Sequence, residues 1–123
     1  MILDSSAWIA LFDGSDRGKR VREILETKQC YTSIVTLAEV SNWSTKQNYD
    51  TKLLMEAIKR GSSIIDLTED IAILAGEINF ERKKTNDKWG MLDSFILATA
   101  NICGLHLLTK DSDYIDLPNA ELL

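Results

Sequence analysis

Short apolar runs alternate with stretches of helical periodicity along the whole chain, and this alternation restricts the possible folds more than any other feature. The runs are predicted to be strands and cover residues 2–3, 30–32, 64–66, 106–109 and 120–122. The stretches between them place apolar residues three and four positions apart, which is the spacing of one helix face. Strands that alternate with helices in this way predict an α/β fold with a mostly parallel sheet.

Six helices are predicted, and they cover residues 7–12, 17–27, 34–46, 49–60, 69–85 and 91–103. In the fourth helix, the stripe predicted to be buried consists of Leu53, Leu54, Ala57 and Ile58. The chain has 123 residues, of which 45% are hydrophobic, so it can form one core and is too short for two. We therefore expect a single domain that spans residues 1–123.

A carboxylate lies on the predicted buried face of the last helix. Asp93, Ile96, Leu97 and Ala100 occupy positions i, i+3, i+4 and i+7, so they share one face. A bare carboxylate on such a face costs on the order of several kcal/mol unless a cation or a hydrogen-bond donor meets it. Because residues 89–100 contain no basic residue, a bound metal ion is a good candidate for that partner.

Three further acids are placed near the carboxyl ends of predicted strands. Asp4 follows the first strand, Asp111 follows the fourth, and Glu39 lies in the helix after the second. Ligand sites of parallel sheets form outside these strand ends, so the three acids are expected to converge with Asp93. Each acid also has a structural explanation, such as a helix cap for Asp4 or a capping box that pairs Glu39 with Thr36.

Four clustered carboxylates favour a hydrolytic metal site. Their mutual repulsion is relieved by a divalent cation, and Mg²⁺ needs only one or two direct carboxylates because it keeps several waters. A metal-bound water is easier to deprotonate, and the metal stabilises charge on a phosphate oxygen, which suits phosphodiester hydrolysis. The net charge of −5 and pI of about 4.8 argue against a wide basic nucleic-acid surface, so the cation would also bridge the acidic cleft to an anionic substrate.

Four segments, taken in their order and spacing, resemble the successive motifs of PIN-domain ribonucleases. The segments are DSSAWI at residues 4–9, TSIVTLAEV at 32–40, DSFILATA at 93–100 and LTKDSDY at 108–114. In length and in the lack of extra domains, the chain is most similar to VapC-type toxins of toxin–antitoxin pairs. The resemblance implies a three-layer α/β/α sandwich around a mostly parallel sheet of about five strands, which is a typical sheet size.

The resemblance also implies which residues form the site. The acids that match the catalytic quartet of the family, and would bind Mg²⁺ or Mn²⁺, are Asp4, Glu39, Asp93 and Asp111. Asp4 and Asp93 would be the direct metal ligands. Ser6 and Thr109 match positions of supporting hydroxyls, and Asp113 is an additional acid or a substitute for Asp111. The implied activity is endonucleolytic cleavage of RNA by an activated water.

Partners and location are expected from the same resemblance. Toxins of this family are commonly homodimers that are held inactive by a protein antitoxin whose tail occupies the cleft. Residues 40–54, with Trp43 and Tyr49, are candidates for part of that contact, and core packing explains them equally well. No signal peptide is recognisable and polar residues interrupt the apolar run at 89–109, so we expect a cytoplasmic protein that makes no membrane contact.

The two cysteines, Cys30 and Cys103, lie far apart in the sequence and lack the spacing of metal ligands. Both are expected to be buried, reduced thiols, as in a cytosolic protein.

Two other functions remain open at this point. In a receiver-type signalling domain, which also binds Mg²⁺, Asp66 would accept a phosphoryl group near Thr109 and the lysine that follows it. Receivers carry two adjacent acids after the first strand, whereas only Asp4 is present here, and Glu39 and Asp93 would have no role. A binding module that keeps the fold without activity is the third alternative, and the intact acidic quartet argues against it.

Overall fold

The computed structural model describes the whole chain, residues 1–123. Its centre is a sheet of five parallel strands in the order β3-β2-β1-β4-β5. The strands are β1 (Ile2–Leu3), β2 (Tyr31–Ser33), β3 (Ser63–Ile65), β4 (Leu107–Thr109) and β5 (Ala120–Leu122). The predicted α/β fold with a parallel sheet is confirmed, and every strand end lies within one residue of its predicted position.

Six helices cover the two faces of the sheet. They are α1 (Ser5–Phe12), α2 (Asp16–Thr27), α3 (Ile34–Lys46), α4 (Thr51–Gly61), α5 (Glu69–Lys83) and α6 (Met91–Cys103). Successive strand residues point to opposite faces. Leu3 and Leu108 therefore pack in a core with residues from α1 to α4, whereas Ile2 and Leu107 pack against α6, which α5 covers. This is the three-layer α/β/α arrangement that the resemblance implies.

The strand order puts the site of interest at the middle of the sheet. From β1 the chain continues to β2 and β3 on one side, and it then returns to form β4 and β5 on the other. The crevice outside the carboxyl ends of β1 and β4 is therefore a topological switch point, where open parallel sheets bind ligands. Receiver domains have the order 2-1-3-4-5 instead. Here Asp66 lies exposed after the edge strand β3.

Local capping accounts for the ends of the helices that carry the site. The side chain of Ser33 caps α3, so this helix begins at Ile34. Thr36 and Glu39 consequently stand inside the helix and do not form the capping box that their spacing allows. At its other end, α6 stops at Gly104, whose φ of 65° lies in the left-handed region that glycine adopts without strain.

Two details of the predicted core are wrong. Leu53 is 57% exposed, because α4 contributes only Ile58 to the buried core. Cys103 is also exposed, because the last turn of α6, residues 101–103, faces solvent on all sides. In α4 the side chains that pack on the core are Met55 and Ile58, so Leu53 lies outside the buried face. In α6 the predicted periodicity holds as far as Ala100.

Candidate active site

Asp4 lies at the carboxyl end of the central strand and is only 6% exposed. Its Oδ1 accepts hydrogen bonds from Ala7 N at 3.1 Å and from Ser6 Oγ at 2.6 Å, and its Oδ2 accepts one from Thr109 Oγ1 at 2.5 Å. Burial raises the pKa of Asp4, the three hydrogen bonds oppose this, and the charge of Asp111 adds to it. Asp4 is thus both the cap of α1 and part of an acidic cluster.

The hydroxyls of Ser6 and Thr109 join the end of β1 to the loop after β4. Ser6 Oγ accepts from Lys110 N at 2.8 Å, and Thr109 Oγ1 accepts from Asp111 N at 3.0 Å. A hydroxyl has a single hydrogen to donate, and both of these hydrogens go to Asp4. The structure therefore places both predicted supporting hydroxyls directly against the Asp4 carboxylate.

Asp93 lies in the first turn of α6, and a donor holds each of its carboxylate oxygens. Gly90 N donates to Oδ2 at 3.2 Å, and the Tyr114 hydroxyl donates to Oδ1 at 3.1 Å. Burial raises the pKa of Asp93, these hydrogen bonds lower it, and the charges of Asp111 and Asp113 raise it further. Burial also raises the pKa of Tyr114 far above its usual value, so its hydroxyl stays protonated.

Glu39 completes the cluster from α3. Burial raises the pKa of Glu39 to about 7, the charges of Asp93 and then Asp4 add to this, and the nearby Ser5 side chain opposes it. The charge of Asp111 raises the pKa values of Asp4 and Asp93, although its effect is smaller than those of burial and of the hydrogen bonds. Each of the four acids that were expected to converge is therefore close enough to two of the others to act on them electrostatically.

The cluster is open and does not form a closed metal cage. No three acidic, histidine or cysteine side chains lie close enough together to hold an ion among them. Mg²⁺ keeps several of its waters and needs only one or two direct carboxylates, so it does not require such a cage. The donor set is entirely oxygen, and a cation would supply the positive charge that these mutually repelling acids lack. The residues fit a partly hydrated divalent ion.

Glu39→Gln is expected to stabilise the metal-free protein at pH 8 by about 1–2 kcal/mol, after a discount for the solvent that screens this half-buried group. Its pKa is about 7 when folded, against an ordinary value of 4.5. The folded state therefore binds the proton more tightly, and stability is lost as the pH rises through this interval. The gain should nearly vanish at pH 4.

The measurement is urea unfolding in chelator at both pH values, with the exposed Glu26→Gln as the control. An equal gain at pH 4 and pH 8, or a loss at pH 8, would contradict the raised pKa of Glu39.

Sequence reasoning named the acids but missed two side chains that act on them. The Tyr114 hydroxyl donates to Asp93, and Ser5 lies beside Glu39 in the same groove and opposes the rise of its pKa. The position of Ser5, directly after Asp4, is a usable signal. Tyr114 ends the LTKDSDY motif, but its contact with Asp93 has no local signal, because it reaches back 21 residues to a helix that the linear pattern does not place beside it. A groove of about 390 Å³ also opens beside the cluster, and its lining residues are Ser5, Ile9, Ala38, Glu39, Asn42 and Leu92.

Comparison with known protein families matches residues 1–120 to the PIN domain. The chain belongs to the PIN domain family. This confirms the resemblance carried by the four motifs, and it does not favour the receiver-type alternative. PIN-domain proteins are generally nucleases. A comparison with curated protein sequences gives no match.

Solved structures of toxin–antitoxin systems have the same fold as this PIN domain. A toxin–antitoxin complex from Klebsiella pneumoniae is 26% identical, with a TM-score of 0.77 and coverage of 98% of this chain and 94% of that one. VapC20 from Mycobacterium tuberculosis, a toxin that cleaves the sarcin–ricin loop, is 18% identical, with a TM-score of 0.75 and coverage of 95% and 94%. DNA-bound VapBC from Salmonella typhimurium is 21% identical, with a TM-score of 0.75 and coverage of 99% and 95%.

Proposed function

We propose that this PIN domain is a divalent-metal-dependent endoribonuclease and the toxin of a VapC-type toxin–antitoxin pair. The observation that carries the proposal is the acidic cluster at the switch point between β1 and β4, where Asp4, Glu39, Asp93 and Asp111 each act electrostatically on two of the others. Metal dependence is supported by the family, whose nucleases generally use divalent ions, and by the oxygen-only donor set. RNA as substrate is supported by the likeness to VapC20.

The residues of the cluster would divide the work between them. Asp4 and Asp93 would hold Mg²⁺ or Mn²⁺, which when bound lowers the pKa of a coordinated water and neutralises charge on the phosphate. Ser6 and Thr109 keep the Asp4 carboxylate fixed through their hydrogen bonds. The ionised Glu39 carboxylate, which lies near both proposed ligands, would accept the proton of the attacking water. Asp111 adds negative charge that favours the cation.

The electrostatics of the whole chain are consistent with a metal-assisted reaction. The net charge is −5, and the acids of the cluster would repel an RNA backbone. A divalent ion held by the acids would remove this obstacle, because it would supply positive charge where the phosphate binds. Without an ion, both RNA binding and water activation should be lost together.

Partner binding is part of the same proposal. Several large apolar side chains stay exposed on α4 and α5 and after β4, namely Leu53, Ile73, Phe80 and Ile115. Exposed apolar side chains of this kind often mark interaction surfaces. We assign them to contacts with an antitoxin and with a second copy of the chain.

We also propose that the protein is cytoplasmic and that residues 1–123 form one PIN domain. None of the helices is both long and apolar enough to cross a membrane.

Removal of divalent metal is expected to abolish the cleavage of single-stranded RNA. The experiment incubates the protein with labelled RNA in EDTA and then adds Mg²⁺ or Mn²⁺ in excess, which should restore cleavage because the fold does not depend on a metal cage. Circular dichroism in EDTA is the control for folding. Cleavage that persists in EDTA, or that metal does not restore in a folded protein, would refute the proposed mechanism.

A further inference from the structure

Tyr114 is a buried tyrosine whose hydroxyl lies against a proposed metal ligand. The residue is 1% exposed, and its hydroxyl donates to Asp93 Oδ1 at 3.1 Å. The other acceptor within reach is the backbone carbonyl of the same Asp93, at 3.5 Å. The mechanism proposed above uses the Asp93 carboxylate and gives the tyrosine no role.

The ring of Tyr114 is fixed by aromatic packing. The fully buried Trp89 lies with its ring centroid 5.0 Å away at an interplanar angle of 60°. Trp89 Nε1 donates at 2.7 Å to Ser94 Oγ, the residue next to Asp93. One aromatic pair therefore contacts both the first turn of α6 and the loop after β4.

Arg82, in α5, packs on this aromatic pair. Arg82 Cζ lies 4.3 Å from the centroid of the Trp89 ring. Its guanidinium donates to both carboxylate oxygens of Asp116, at 3.0 and 3.1 Å, and to the backbone carbonyl of Asp113 at 2.5 Å. Bidentate arginine–carboxylate pairs are geometrically specific. Because Asp113 and Asp116 flank Tyr114 in the chain, the arginine fixes the segment that carries the tyrosine.

We propose that Tyr114 is a positioning residue that orients the Asp93 carboxylate for a divalent cation, an inference that rests on the proposed function. Gly90 N holds Oδ2 and the Tyr114 hydroxyl holds Oδ1, so the carboxylate cannot rotate freely. An ionised carboxylate has about four acceptor sites, so acceptor capacity remains for an ion or its waters. Side chains that orient a metal ligand in this way contribute about 10–100-fold to metal affinity or activity.

The test compares Mn²⁺ affinity, measured by isothermal titration calorimetry, for the wild type, Tyr114→Phe and a matched control. Tyr31→Phe is the control because it removes the hydroxyl of a half-buried tyrosine at the amino end of β2, whereas the acids lie at the carboxyl ends of the parallel strands. Tyr114→Phe keeps the ring and its packing on Trp89, so it should fold as the wild type does. We expect Tyr114→Phe to bind Mn²⁺ about tenfold more weakly and Tyr31→Phe to bind it unchanged.

A matching readout comes from the metal dependence of RNA cleavage. Tyr114→Phe should require a higher Mn²⁺ concentration for half-maximal cleavage and should recover most of the wild-type rate at saturation. A purely structural role would lower the stability in urea without moving the metal requirement.

Wild-type Mn²⁺ affinity in folded Tyr114→Phe, or an equal loss in Tyr31→Phe, would overturn the inference. Mn²⁺ binding that Tyr114→Phe weakens in a protein that cleaves no RNA would support the positioning role and refute the nuclease.

Discussion

Asp93→Asn is expected to lower the rate of metal-dependent RNA cleavage by about 100- to 1000-fold, the range seen when one preorganised electrostatic group is removed from an active site. The substitution keeps the size of the side chain and removes its charge. Asp93 lies in the first turn of α6 and accepts two hydrogen bonds that fix its carboxylate, so no other acid of the cluster can take its position. The loss should appear in initial rates at saturating Mg²⁺.

The same substitution should leave the fold intact, which separates catalysis from stability. Burial already raises the pKa of Asp93, so the folded protein holds this charge at a cost. The free energy of unfolding in chelator at pH 8 should therefore be unchanged or higher in Asp93→Asn. Asp87→Asn, in the exposed loop before α6, is the control and should cleave RNA as the wild type does. Full activity of folded Asp93→Asn would exclude Asp93 from the site.

Some of this architecture follows from local sequence signals. The strands are predictable because short apolar runs such as Ile2-Leu3 fill the centre of the sheet, where both residues are fully buried. The helix that carries Asp93 is predictable because its periodicity and its stop at Gly104 are both local. The acids follow predicted strands, and the carboxyl ends of parallel strands lie at one edge of the sheet, so the acids are predicted to converge there.

Other features depend on contacts that no local pattern encodes. The exposure of Leu53 depends on which face of α4 the rest of the chain covers, and that face carries Met55 and Ile58. The contact between Tyr114 and Asp93, and the stacking of Arg82 on Trp89, join residues from different elements whose juxtaposition only the folded topology sets. The open character of the acidic cluster is likewise a matter of side-chain distances, which a sequence pattern does not fix.

The packing of α2 on α1 provides the largest stability prediction. A Cβ added at Gly18 in α2 would lie 2.3 Å from the carbonyl oxygen of Ala10 and 3.0 Å from the backbone of Leu11, both in α1. These are backbone atoms of a helix, so they cannot rotate away as the end of a flexible side chain would. Gly18 thus allows the two helices to approach closely, and α1 is the helix whose amino end Asp4 caps.

Gly18→Ala is therefore expected to lower the free energy of unfolding by about 2 kcal/mol, because the cost of overpacking exceeds the gain in helix propensity. Gly76→Ala in α5 is the matched control, since a Cβ there meets no atom within 4 Å. It should raise the free energy of unfolding by about 0.5–1 kcal/mol through helix propensity and the reduced entropy of the unfolded chain. Urea unfolding of both variants tests whether their free energies of unfolding change in opposite directions. A gain in Gly18→Ala would mean that α1 and α2 can separate at little cost.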